Sequence, residues 1–64
     1  MLLKLRVPDM ACAACRDAII QAIQAVDTSA TVTANLETKE LEIDTQAPEA
    51  DIRRAIHQAG YTPS

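Results

Sequence analysis

The chain has 64 residues, a formal net charge of −3, one Tyr and neither Trp nor Phe. A chain of this size buries only about 60% of the surface it exposes unfolded, which predicts a single domain, residues 1–64, with a thin core. The acidic balance and scarce aromatics exclude the basic footprint and stacking platform that nucleic acid needs, and no apolar run nears the roughly 18 residues of a membrane span. The start Met1-Leu2-Leu3-Lys4 lacks a signal-peptide pattern, so a free-standing cytoplasmic protein with reduced thiols is expected.

Leu2 to Val7 sets Leu3, Leu5 and Val7 against Lys4 and Arg6, the alternation of a half-buried strand. Pro8 ends it, and Asp9 to Ala13 form a connection. From about Ala14 the period becomes helical. Cys15, Ile19, Ala22 and Val26 share one face with Ile23, and Ala18, Ala22 and Ala25 favour helix. Asp27-Thr28-Ser29 reads as a loop, and Ala30 to Leu36 as a second strand.

Glu37-Thr38-Lys39 turns the chain without the Asn-Gly or Asp-Gly of the strongest hairpins. Glu40 to Asp44 returns with Leu41 and Ile43 inward and its acids outward. Pro48 suits the first position of a second helix, whose positive end Glu49 and Asp51 complement. Ile52, Ala55, Ile56 and Ala59 make its buried stripe, with Gly60 as the C-terminal cap. Tyr61 to Ser64 adds at most a brief last strand, which Pro63 confines to an edge. This βαββαβ order predicts an α+β, ferredoxin-like sandwich: an antiparallel sheet with both helices on one face.

Cys12 and Cys15, separated by Ala13-Ala14, fall where strand pattern gives way to helix pattern. A disulfide there would close a tiny loop and constrain the unfolded chain little, so the pair is better read as chemistry than as a staple. Residues three apart on a helical path bring their Cβ atoms to about 5–6 Å, within reach of one ion. Unpaired amides and the helix dipole favour thiolate at that place, with Arg16 a further source of positive potential. Thiolates select soft ions. A structural zinc site wants four protein ligands, whereas the chain offers two cysteines and one histidine, His57. Zinc would need Asp9, water or another chain; Cu(I), which tolerates two ligands, needs nothing more.

Met10-Ala11-Cys12-Ala13-Ala14-Cys15 resembles the Met-x-Cys-x-x-Cys loop of the heavy-metal-associated domain family. Small copper chaperones and the soluble N-terminal domains of metal-exporting P-type ATPases make up that family. The resemblance covers essentially the whole chain, and the Val7-Pro8 entry is similar to small cyanobacterial copper chaperones. It implies cytosolic Cu(I) carriage by Cys12 and Cys15 to the metal-binding domain of a copper-transporting P-type ATPase, within copper homeostasis. Two departures stand out. Asp9 replaces the Gly that commonly precedes the Met, and Tyr61 stands where the cyanobacterial branch can carry His, which removes a histidine third ligand from that loop.

Several residues have plainer readings beside the functional ones. Met10 could ligate through its thioether, but packing beneath the loop is the expected role. Tyr61 is expected to cover the site and tune the sulfurs by hydrogen bonding. His57, off the apolar stripe, reads as a solvated helix residue, and Arg53, Arg54 and the acids of Glu40 to Asp44 as solvent-facing. No nucleophile–base pair, phosphate loop or acid pair is visible, so no enzyme is expected. Three alternatives stay open: the N-terminal domain of an ATPase, a thiol–disulfide oxidoreductase, and a copper-bridged homodimer. The oxidoreductase reading wants a thioredoxin-like unit, in which Ala-Ala between the cysteines is unusual.

Overall fold

Leu3 and Leu5 are buried while Lys4 and Arg6 face solvent, and this alternation forms strand β1, Leu2–Arg6, in the computed structural model, which describes Met1 to Ser64. Helix α1 (Ala13–Val26), strands β2 (Thr31–Asn35) and β3 (Glu40–Asp44) and helix α2 (Glu49–Gln58) follow. The strands order β1-β3-β2, and both pairs are antiparallel. Leu3 opposite Ile43 and Leu5 opposite Leu41 give the sheet its apolar face. The two helices pack together, and Ile19 and Ile23 of α1 join Ile52 and Ile56 of α2 in one cluster with those strand residues. The helices therefore cover one face of the sheet, the ferredoxin-like arrangement predicted. On the open face Lys4 lies opposite Glu42 and Arg6 opposite Glu40.

Where the boundaries differ, the reasons are local. β1 stops one residue short of Val7, although the Val7 side chain is fully buried and its N–H still donates to the Lys39 carbonyl at 2.8 Å. β2 omits Ala30 and Leu36 and, as the outer strand, leaves Val32 and Ala34 only half-buried. Val26 is 43% exposed at the end of α1, so the buried face of that helix rests on Ile19 and Ile23 instead. Pro48 caps α2 rather than opening it, with φ −61° and ψ 145°. Proline's fixed φ satisfies either position, and only ψ tells them apart.

The last segment does not form a strand. Arg6 and Ser64 exchange a reciprocal pair of backbone hydrogen bonds, 3.2 and 2.7 Å, on the free edge of β1. Val7 and Pro63 fall at the non-hydrogen-bonded register position, and at the next bonded one Thr62 would meet Pro8, which has no N–H, so the ladder does not extend. The sheet is thus three-stranded, with a single bonded pair in place of the fourth strand.

A polar clasp holds the end of the fold opposite in sequence logic to the apolar core. Asp27 ends α1, where a carboxylate opposes the helix dipole. It is held by donors: the Ser29 N–H and hydroxyl, the Gln46 N–H and, at 2.7 Å, the hydroxyl of buried Thr45. The Thr45 hydroxyl, with Ser29 next, holds the Asp27 carboxyl well below the usual carboxylate range. A carboxyl depressed by folding contributes stability above its ordinary pKa, and the contribution is lost as pH falls through the folded value. Asp27→Ala is therefore expected to lower the melting temperature at neutral pH and to shrink the difference from wild type as the solution is acidified below about pH 4. Thermal melts across that range read the outcome; a constant difference would contradict the clasp.

Candidate metal centre

The loop between β1 and α1 is built by a turn and an anchor. Met10 N–H donates to the Val7 carbonyl at 3.0 Å, closing a β-turn with Pro8 in the position whose fixed φ suits it. The turn drives Met10 into the core, where it is fully buried. From this anchor the chain passes immediately to Ala11 and Cys12 at the surface.

Cys12 is the N-cap of α1, with extended backbone at φ −151° and ψ 170°. Its carbonyl accepts the first helical bond, from Arg16 at 3.0 Å, and its sulfur accepts from the Cys15 N–H at 3.4 Å. The sulfur takes the place of the Ser or Asp oxygen usual at a helix start. No acidic side chain occupies the first turn, so the positive end of the helix is left to the sulfurs. Cys15, one turn on, is half-buried and packs against the core, whereas Cys12 is exposed.

The two sulfurs lie 3.0 Å apart. A disulfide is about 2.05 Å, so this is a dithiol pair sharing a hydrogen bond. Proton sharing stabilises one thiolate: the Cys15 thiol is lowered from 9.0 to about 7, by Cys12 first, then by the Tyr61 hydroxyl and the Ala11 backbone. Cys15 in turn raises the Tyr61 phenol above its usual range, with burial adding to the effect.

Tyr61 arrives at this end through the cap of α2. The Gly60 N–H bonds the His57 carbonyl at 3.0 Å and the Tyr61 N–H bonds the Ile56 carbonyl at 3.2 Å, the double closure of a Schellman motif. Gly60 adopts φ +99° to allow it, and Tyr61 packs against the core beyond. Asp9 reaches across to the same segment, both carboxylate oxygens accepting from the Thr62 N–H at 3.2 Å. The residue that departs from the usual Gly thus ties the loop to the segment carrying Tyr61.

The remaining candidates stay apart from the sulfurs. Arg16 turns to Asp17 at 3.2 Å. His57 is exposed in the last turn of α2, and no third His, Cys, Asp or Glu joins the pair. Asp9, a completing ligand for zinc in the sequence reading, is engaged with Thr62 instead. Arg53 and Arg54 pair with Glu49 and Asp51 of their own helix. The sequence marks Lys39 only as part of a turn, yet its ammonium donates to the Met10 carbonyl at 2.9 Å, inside the loop. Its cationic side chain in a Gly-poor hairpin was the one signal available.

With bonds of about 2.3 Å, the thiolate–metal length typical of zinc, collinear sulfurs would lie about 4.6 Å apart. A metal joining this pair must therefore part the sulfurs, and exposed Cys12, outside the helix, is the one free to move. The arrangement suits a soft ion content with two ligands. It offers zinc an incomplete sphere.

The heavy-metal-associated domain profile matches residues 4–62. Among solved structures, the chain is 39% identical to the copper chaperone Atx1 from Synechocystis PCC6803, in a trimeric form of a histidine-to-tyrosine mutant; the match covers 97% of this chain and 98% of that one, with a TM-score of 0.95. It is 38% identical to the cyanobacterial copper metallochaperone ScAtx1, over 100% of both chains, with a TM-score of 0.83. It is 25% identical to the N-terminal domain of PacS from Synechocystis PCC6803, over 100% of this chain and 94% of that one, with a TM-score of 0.86. No curated protein matches at a significant level. With its profile match spanning nearly the whole chain and its fold shared with copper chaperones, the protein belongs to the heavy-metal-associated domain family, as a small domain of the copper-chaperone type.

Proposed function

We propose that this protein is a cytoplasmic carrier, one domain over residues 1–64, that holds a single Cu(I) between Cys12 and Cys15. It hands the ion to the soluble metal-binding domain of a copper-transporting P-type ATPase. The observation that carries the reading is a pair of sulfurs at a helix start with no third donor beside them. Two thiolates satisfy Cu(I) and leave room for an incoming ligand.

Transfer is ligand exchange. A cysteine thiolate of the acceptor forms a third Cu–S bond, the bond to Cys12 breaks, and a second acceptor thiolate then replaces Cys15. The departing thiolates take up the protons that the acceptor thiols lost, and copper stays monovalent throughout. Buried Met10 holds the loop from below, and Tyr61 favours the Cys15 thiolate from the side. Family members of this kind are carriers and not enzymes.

Mixing the copper-loaded protein anaerobically with such an ATPase domain, then separating the two, tests the reading. Copper should partition between them even with a chelator present that captures any released ion. Copper found only on the chelator would contradict direct exchange. Protons compete for the same sulfurs. With Cys15 titrating near pH 7, affinity should fall by at least about tenfold per pH unit below that point. Competition titrations between about pH 5 and pH 8 read this, and a flat profile would argue against thiolate ligands.

Likeness to the PacS N-terminal domain favours a second reading, in which the domain is the receiving end of the same exchange. Two copies facing one another can also share the ion, as a copper-bridged homodimer. No helix is long and apolar enough to cross a membrane.

A further inference from the structure

Lys39 combines a strained backbone with a long-range grip on the metal loop. Its φ is +66°, the left-handed region where a side chain is disfavoured and Gly or Asn is the ordinary occupant. Its ammonium donates to the Met10 carbonyl at 2.9 Å in a part-buried contact across 29 residues of chain. Its own carbonyl accepts from the Val7 N–H at 2.8 Å. Val7 and Met10 are the two ends of the β-turn that leads to Cys12, so one residue holds both ends of that turn. A non-glycine residue retained in such a conformation points to a role for its side chain, and a charge-assisted hydrogen bond is strong enough to hold a loop.

We propose that Lys39 is a positioning residue for the metal loop: by fixing Val7 and Met10 it limits the freedom that Cys12 must give up to close on copper. The inference rests on the copper-carrying reading and deepens it. Without the clamp, the peptide from Met10 to Cys12 samples more conformations, and binding has to order them. Affinity then falls and exchange quickens, although Lys39 is not a ligand.

Lys39→Gly removes the side chain and the backbone strain together, Lys39→Met removes only the donor, and Lys39→Arg keeps a cationic donor. Cu(I) affinity is measured by anaerobic chelator competition well below the melting temperature, alongside thermal melts and amide hydrogen exchange of the metal-free protein. The expected result is about tenfold weaker binding in Lys39→Gly and Lys39→Met, the scale of one hydrogen bond to a charged group. Amide exchange at Ala11 and Cys12 should quicken in both, the Lys39→Gly melt should stay near wild type, and Lys39→Arg should restore affinity. Wild-type affinity and exchange in both Gly and Met variants would overturn the inference, as would affinity and melting temperature falling together without rescue by Arg. A wild-type protein that binds no Cu(I) would defeat the proposed function, and amide exchange would then still decide whether Lys39 holds the loop.

Discussion

Replacing either Cys12 or Cys15 by Ser is expected to weaken Cu(I) binding by more than about a hundredfold while the fold persists. Groups that merely orient ligands cost 10–100-fold when removed, so loss of one of only two ligands must exceed that range. The variants should differ in what else they do. Ser is a better N-cap than Cys, so Cys12→Ser keeps the hydrogen bond that starts α1 and should melt at or slightly above wild type. Cys15 packs half-buried against the core and shares its hydrogen bond with Cys12. Cys15→Ser should therefore lower the melting temperature modestly, and it removes the neighbour that raises the Tyr61 phenol. Chelator competition measures the affinities and circular dichroism the fold. Tight binding retained by both variants would remove the site.

Met10→Ala is expected to have the largest effect on stability. Met10 is fully buried in the core cluster, and truncating such a residue costs about 2–5 kcal/mol. A 64-residue domain has about 3–10 kcal/mol in total. The variant should melt well below wild type, and its copper binding should weaken at temperatures where folding must accompany it. Met10→Leu conserves volume and should cost less than about 1.5 kcal/mol. It separates packing from ligation: full copper affinity in Met10→Leu is expected, and a folded Met10→Leu with greatly reduced affinity would make the thioether a ligand instead.

The fold was legible where burial follows local period. Alternation over Leu3, Leu5, Leu41 and Ile43 and the helical spacing of Ile19, Ile23, Ile52 and Ile56 place the core, because each element meets one apolar layer. Gly60 announced the cap of α2, and through it the arrival of Tyr61 beside the sulfurs. The cysteine pair was legible because its geometry is local, three residues along the start of one helix.

What could not be read depends on partners distant in the chain. Asp27 looks like an ordinary loop acid until Thr45 and Gln46 are brought to it. Asp9 meets Thr62, and Lys39 meets Met10, only after the sheet has formed. Val26 keeps the period of its helix but lines an open groove beside Ala55, Gln58 and Ala59, whose small or polar side chains do not cover it, so it stays exposed. The missing fourth strand follows from Pro8, which has no N–H to offer Thr62 across the edge of β1 and so limits the pairing to Arg6 with Ser64.

The central claim is that two sulfurs of this chain, and no other atoms of it, hold the ion. X-ray absorption at the copper edge of the anaerobically loaded monomer measures this directly. The account predicts a monovalent copper with a shell of two sulfurs and no nitrogen or oxygen neighbours from the protein. A shell containing imidazole nitrogen, or a third sulfur assignable to Met10, would contradict it.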